Sequence, residues 1–96
     1  MLKQPGVYIM TNRYEGTLYV GVTSNLVQRA WQHRNHLVEG FTKKYQLVRL
    51  VYYELHGDMY EAIRREKAIK EWKRNWKIRL IEYSNPSWDD LYSRII

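Results

Sequence analysis

The chain has 96 residues, a formal charge of +6 from 16 Lys and Arg against 10 Asp and Glu, and no cysteine. This length predicts a single domain, 1–96, and the four Trp, nine Tyr and one Phe exclude a disordered basic tail. The absence of cysteine excludes a disulfide framework and a zinc-thiolate site. No apolar run approaches the roughly 18 residues of a membrane span, and the N-terminus does not resemble a signal peptide. We therefore expect a soluble, cytoplasmic protein with no membrane partner.

The first half of the chain is predicted to form a hairpin, a helix and a third strand. Residues 6–12 and 17–23 are rich in β-branched and aromatic residues and are separated by a short turn-like segment. Ser and Asn then offer an N-cap for a helix over 26–38, because apolar residues recur there at helical spacing. Residues 47–55 have the composition of a central strand.

The second half is predicted to be helical. Apolar residues recur at helical spacing from Met59 to Trp76, which predicts one long second helix. A short final helix is expected to begin near residues 87–90, with Trp88 among its anchors. The order strand, strand, helix, strand, helix, helix predicts an α+β fold, in which helices pack on a small antiparallel or mixed sheet.

Two tyrosines are predicted to lie side by side on one face of the hairpin. With a loop of four residues, Tyr8 lies opposite Gly21, and Tyr8 and Tyr19 become diagonal neighbours on the same face. A glycine inside a strand weakens pairing and usually marks a close approach, so Gly21 is expected to leave open space beside both hydroxyls. Such a tyrosine pair is more often simple packing than a site.

The predicted first helix carries a guanidinium and an imidazole one turn apart. Arg29 and His33 are four residues apart and therefore project from one face. Arginine can hold a phosphate with a bidentate fork, and an imidazole can transfer a proton near neutral pH. A solvated helix edge is the simpler interpretation of this pair.

A carboxylate interrupts the apolar stripe of the predicted second helix. Glu66 lies between Ala62 and Ile69 on that stripe, and a buried carboxylate needs a cation beside it. A structural ion pair with Arg29 or Arg49 is one interpretation. The other is a ligand for Mg²⁺, which is usually held by few carboxylates together with a phosphate.

The positive charge is concentrated in residues 64–79, which hold eight basic and two acidic side chains. Basic residues interleaved with Trp72 and Trp76 favour binding to a nucleic-acid backbone, although a solvated helix face is the alternative. The predicted nucleic-acid-binding residues are Arg64, Arg65, Lys67, Lys70, Lys73, Arg74 and Lys77.

The ordered motifs resemble those of the GIY-YIG nuclease family. The two tripeptides are GVY, ending at Tyr8, and YVG, beginning at Tyr19. The resemblance continues through Arg29 and His33 to Glu66 and covers roughly residues 4 to 80. It is greatest to short single-domain members related to the N-terminal domain of the excision-repair endonuclease C subunit.

The resemblance implies a three-stranded, mostly antiparallel sheet flanked by helices, and a DNA endonuclease that uses one Mg²⁺ or Mn²⁺ ion. By position in the motifs, Glu66 matches the metal ligand and Arg29 the arginine that contacts phosphate. Tyr8 and Tyr19 match the motif tyrosines, one of which takes a proton from the attacking water, and His33 assists proton transfer or is itself the base. The implied substrate is DNA that is branched, nicked or single-stranded, and the implied process is DNA repair.

Two other functions stay open at this point. One is a module of the same fold that binds nucleic acid through residues 64–79 without cutting it. The chain has Val22 where the excision-repair relatives carry a lysine after the YVG glycine, so the contact that depends on this lysine is absent. A nuclease subunit that depends on a protein partner is the other, with Trp88, Leu91 and Tyr92 as its docking residues.

Overall fold

The structure, a computed structural model, describes residues 4–96 and contains a three-stranded antiparallel sheet with helices on both faces. This confirms the predicted α+β class. Strand β1 lies in the centre, between β2 and β3. The elements are β1 Gly6–Thr11, β2 Leu18–Thr23, α1 Leu26–Arg34, α2 Phe41–Lys44, β3 Arg49–Leu55, α3 Met59–Glu71, α4 Arg74–Ser84 and α5 Tyr92–Ile95.

The hairpin has the predicted register. Tyr8 pairs with Gly21 and Met10 with Tyr19, so the two tyrosines share a face. A backbone hydrogen bond from Gly16 N to the carbonyl of Arg13, at 2.9 Å, closes the four-residue turn. Any loop with an even number of residues keeps Tyr8 and Tyr19 on the same face of the hairpin. The sequence is therefore sufficient to predict this shared face.

The central strand is buried on both faces, and alternate residues belong to different cores. Val7 and Ile9 pack in a core with side chains of α3 and α4 and with Trp88. Tyr8 and Met10 face the other side, where α1 covers the sheet. The tyrosine face is therefore the face that carries α1.

The predicted long second helix is wrong, because the chain forms two helices there. Trp72 and Lys73 have extended backbones, with ψ of 151° at both residues, and they separate α3 from α4. A continuous helix over residues 59–84 would be about 39 Å long at 1.5 Å per residue. The largest extent of the fold is 31 Å. The break lets Ile69 and Ile81 enter the same core.

The C-terminal prediction is also wrong in its details. Trp88 does not lie at a helix start but has a φ of 57°, and α5 begins only at Tyr92. Trp88 is fully buried, and its indole Nε1 donates a 2.7 Å hydrogen bond to Glu82. Leu91 is buried as well, so these two residues pack in the chain's own cores, whereas Tyr92, the third predicted docking residue, is partly exposed. The first helix is shorter than predicted and ends at Arg34.

None of the helices within residues 4–96 is both long enough and apolar enough to cross a membrane.

Candidate active site

The centre of the candidate site is a hydrogen bond between the sheet and the first helix. The Tyr8 hydroxyl lies 3.0 Å from Nε2 of His33, and both side chains are almost fully buried, at 1 % and 2 % exposure. The Tyr19 ring completes the group, with its centroid 6.3 Å from that of Tyr8 and 5.9 Å from that of His33. A phenol, an imidazole and a second, partly exposed phenol therefore meet at one point.

The start of α1 aligns the helix over the sheet. The side chain of Asn25 is the N-cap and accepts a 3.2 Å hydrogen bond from Gln28 N. Leu26 and Ala30 then face the tyrosine core, and His33 follows Ala30 by three residues on the same helical face. The cap and the apolar spacing together bring the imidazole down onto Tyr8.

The space beside Gly21 is filled by the tyrosines, which corrects the expectation of open space. A Cβ atom at this position would lie 2.4 Å from both Cζ and Oη of Tyr8, and 2.9 Å from Cε2 of Tyr19. The glycine is needed because the Tyr8 phenol lies directly on the backbone of β2.

We expect Gly21→Ala to lower the free energy of unfolding by about 1–3 kcal/mol, because the added methyl group forces Tyr8 out of its packed position. Urea denaturation measures this change. Gly57→Ala is the matched control, since a Cβ there would meet nothing within 4 Å. Equal stability of the two variants would contradict the close packing of Tyr8 against β2.

The imidazole of His33 is neutral at pH 7. Burial, reinforced by the positive charge of Arg29, lowers its pKa from 6.5 to about 4. Its Nδ1 atom is buried and has no hydrogen-bond partner among the described residues. The Nε2 atom can therefore accept the hydroxyl proton of Tyr8 when the ring carries its own proton on Nδ1.

The phenol of Tyr8 is held in its protonated form in the free protein. Burial raises its pKa well above the usual value of 10, and the neighbouring Tyr19 raises it further. The Arg29 guanidinium acts in the opposite direction, and the Glu66 carboxylate again raises the pKa. Tyr8 can therefore serve as a proton acceptor at pH 7 only if its own proton has somewhere to go.

The buried neutral His33 predicts a specific loss of stability in acid. Because its pKa is lower in the folded chain than in the unfolded chain, only the unfolded state gains a proton as the pH falls from 6.5 towards 4. Wild type should therefore lose about 3 kcal/mol more than His33→Gln between pH 7 and pH 4. Urea unfolding at both pH values measures the difference.

The control for this measurement is the exposed His36, whose replacement in His36→Asn should leave the pH dependence of wild type unchanged. Parallel stability profiles for wild type and His33→Gln would mean that His33 is not buried in its neutral form.

Glu66 reaches the same neighbourhood from the opposite face of the sheet. Its side chain is 9 % exposed, and Oε2 lies 3.0 Å from Nζ of Lys70. The ion pair is therefore with Lys70, one turn further along α3, and not with Arg29 or Arg49, the two partners that one interpretation of the sequence offered. The Lys70 ammonium also lies 5.9 Å from the ring centroid of Tyr19, which connects this ion pair to the tyrosine face.

The structure brings together all the predicted catalytic residues. Glu66 and Arg29 are both near enough to affect the pKa of Tyr8, which in turn contacts His33 and lies beside Tyr19. The five residues are contributed by four different elements. Their convergence depends on tertiary packing and not on their order in the chain.

The donor set is compatible with one divalent ion such as Mg²⁺. Residues 4–96 contain no group of three His, Cys, Asp or Glu side chains placed to hold a metal. Mg²⁺ often uses only one or two carboxylates, and substrate phosphates and waters complete its shell. Glu66 fits this role because Lys70, its ion-pair partner among the described residues, has a long side chain that is half exposed and can move away.

The predicted nucleic-acid-binding residues do not form one uniform surface. The break between α3 and α4 divides them, and some are engaged in contacts within the fold. Arg65 donates to Glu54 at 2.9 Å, and Arg74 donates to the carbonyls of Glu15 and Gly16 at 2.8 Å. The others are exposed or half-exposed side chains, namely Arg64, Lys67, Lys70, Lys73 and Lys77.

Sequence reasoning missed an aromatic extension of the site. Phe41 lies on α2 with its ring nearly parallel to Tyr19, at 27° and 6.3 Å between centroids. The Tyr45 ring follows at 4.8 Å from Phe41. The spacing of four residues between Phe41 and Tyr45 is a signal in the sequence that could have indicated this helical turn.

Comparison with known proteins identifies the class of this fold and site. The family model of the GIY-YIG catalytic domain matches residues 4–79, which include all five predicted catalytic residues. The chain belongs to the GIY-YIG family of nucleases.

Its relatives include short proteins named UPF0213. The UPF0213 protein of Desulfotalea psychrophila is 36% identical over 80 residues, which cover 81% of this chain and 72% of that protein. The Clostridium perfringens protein of the same name is 40% identical over 75 residues, which cover 78% and 80% of the two chains. The solution NMR structure of a UPF0213 protein from Bacillus halodurans covers 91% of this chain and 92% of that one, with a TM-score of 0.57 and 24% identity. That similarity confirms the fold.

Proposed function

We propose that this chain is a metal-dependent endonuclease that hydrolyses phosphodiester bonds in DNA. The observation that carries the proposal is the 3.0 Å contact between Tyr8 and His33. The nearly buried carboxylate of Glu66 supports it, because its partner Lys70 lies 5.9 Å from the ring centroid of Tyr19. Hydrolysis of a phosphodiester needs a proton acceptor and positive charge at the phosphate. A module that only binds nucleic acid needs neither a buried carboxylate near the phosphate nor a phenol paired with a neutral imidazole.

The side chains have complementary roles in this proposal. Glu66 would hold Mg²⁺ or Mn²⁺, and the bound ion supplies neutralisation of the scissile phosphate and stabilisation of the leaving oxygen. Arg29, partly exposed on α1, contacts a phosphate oxygen through its guanidinium. Tyr19 is the partly exposed phenol of the pair and positions the substrate at the entrance to Tyr8.

The proton is transferred through Tyr8 to His33. The Tyr8 hydroxyl takes the proton of the attacking water and gives its own proton to Nε2 of His33. This two-part transfer avoids a free phenolate, which the raised pKa of Tyr8 makes unfavourable. The negative charge of the substrate phosphate favours the imidazolium that results.

The DNA backbone would contact exposed lysines around this centre. Lys67 and Lys73 are exposed, and they form no ion pair within residues 4–96. Each phosphate contact of this kind contributes through the release of counterions, without reading the base sequence. The substrates we propose are branched, nicked or single-stranded DNA, as in repair.

The second candidate is a module that binds DNA without cutting it. The exposed Lys67 and Lys73 favour this candidate, because they can contact a DNA backbone without any contribution from the buried site. The same surface lysines would then hold the backbone, and the buried site would be a relic.

Cleavage of labelled duplex, nicked, branched and single-stranded DNA separates the two candidates. We expect cutting with Mg²⁺ or Mn²⁺ and none with EDTA. If the wild-type protein binds every substrate and cuts none of them with either metal, the non-cleaving binding module becomes the better proposal.

A further inference from the structure

An exposed aromatic surface continues outward from the candidate site. We define the aromatic platform as the rings of Phe41 and Tyr45, which follow Tyr19 in an unbroken series of ring contacts at 6.3 and 4.8 Å. The two residues are 46 % and 43 % exposed. Large aromatic rings left half in water beside a polar site are typical of surfaces that bind a flat or apolar group.

The backbone that carries the platform is anchored to the core. It forms the single turn of α2, and a 2.9 Å hydrogen bond joins Leu47 N to the carbonyl of Thr42. Leu47 is fully buried in the core that contains Tyr8, and the Thr42 side chain is buried as well. This anchoring places both rings next to the tyrosine face and reduces the backbone entropy that is lost when a partner binds.

Positive charge surrounds the platform. The ammonium of Lys44 lies 5.5 Å from the Tyr45 ring centroid, and that of Lys70 lies 5.9 Å from the Tyr19 centroid. Lys43 is also exposed, with one surface ion pair to Glu39. Flat aromatic faces beside lysines match a ligand that combines flat rings with a negative backbone, which is the chemistry of an unpaired stretch of nucleic acid.

We propose that the platform stacks an unpaired base next to the bond that is cut, so that the substrate carries single-stranded nucleotides beside the scissile phosphate. This inference rests on the proposed function for the position of that phosphate. A base inside a duplex has both faces covered by its neighbours, whereas an unpaired base has a free face for Phe41 or Tyr45. The platform thus selects among DNA structures and not among sequences.

Binding without metal tests the platform independently of catalysis. The probe is an oligonucleotide that contains 2-aminopurine, a base whose fluorescence is quenched by stacking. It is added to the protein in EDTA, either as a single strand or as a duplex. We expect quenching with wild-type chain and the single strand. Phe41→Leu should bind the single strand about tenfold more weakly, and the ratio of single-strand to duplex affinity should fall accordingly.

The control variant is Tyr83→Leu, which removes an exposed tyrosine at the end of α4 and should bind and quench like wild type. Circular dichroism checks that each variant is folded, and Tyr45→Leu provides a second test if Phe41→Leu is not. Equal single-strand affinity for wild type and the platform variants would overturn the stacking proposal and leave the nuclease proposal standing. Self-association of wild type that Phe41→Leu abolishes would also overturn it, since the platform would then be a protein contact.

Discussion

Glu66→Gln is expected to reduce the rate of DNA cleavage by about three orders of magnitude and to leave DNA binding intact. The substitution keeps the size of the side chain and removes the carboxylate that is proposed to hold the divalent ion. Its partner Lys70 is half exposed and can be solvated when the negative charge is lost, so the fold should persist. Single-turnover cleavage with saturating Mg²⁺ or Mn²⁺ measures the effect, and fluorescence anisotropy measures binding.

The matched control is Glu71→Gln, which removes the same charge from the exposed end of the same helix. This variant should cleave at nearly the rate of wild type. If both variants lose activity equally, the effect is one of overall charge, and Glu66 has no special position in the site.

Tyr8→Phe is expected to lower the cleavage rate by about two to three orders of magnitude, which is typical for loss of a group that transfers a proton. Removal of the hydroxyl breaks the 3.0 Å contact with His33 and leaves the ring packed on Gly21. The fold should therefore be preserved, and the measurement is the cleavage rate as a function of pH. Tyr19→Phe should have a smaller effect, because no hydrogen bond links its hydroxyl to another residue of the described chain.

The relay through His33 is tested by combining variants. If Tyr8 and His33 act as one unit, the double variant Tyr8→Phe with His33→Gln should be no slower than the slower single variant. Additive losses would mean that the two residues act separately. If Tyr19→Phe lowers the cleavage rate more than Tyr8→Phe does, the proton acceptor is the more exposed phenol of Tyr19.

Local patterns were sufficient to predict the sheet and the tyrosine pair. The hairpin loop between Asn12 and Thr17 has an even number of residues, and this alone determines that Tyr8 and Tyr19 share a face. The helix break at Trp72 and Lys73 could not be predicted in the same way, because neither glycine nor proline marks it. Packing of two helices on one compact core imposes the break, and this is a property of the whole fold.

The sequence indicated that Tyr8 and Tyr19 share a face, but it did not predict the contacts of the candidate site. The approach of His33 to Tyr8 depends on the angle at which α1 crosses the sheet, which one-dimensional spacing does not contain. The pairing of Glu66 with Lys70 was visible in principle, since the two residues are four apart on a helix. This ion pair could have been predicted by considering cations on the same helix before cations elsewhere in the chain.

The effect of burial on His33 was likewise outside the reach of the sequence. An exposed imidazole on a helix edge would be partly charged near pH 6.5. The buried ring is neutral and can accept a hydrogen bond. The chemistry proposed for the site therefore depends on a depth of burial that becomes known only once α1 has been placed on the sheet.

Tyr8, His33 and Glu66 are tested together as a hydrolytic site by following binding and cutting of one end-labelled DNA in the same sample. Wild type and Glu66→Gln are compared during a titration with Mn²⁺ from an EDTA-treated state. We expect both proteins to bind the DNA alike and only wild type to cut it, at a rate that rises with Mn²⁺ and saturates. Cutting by Glu66→Gln at the rate of wild type, or cutting by wild type that is indifferent to metal, would mean that Glu66 and a divalent ion do not form a hydrolytic site.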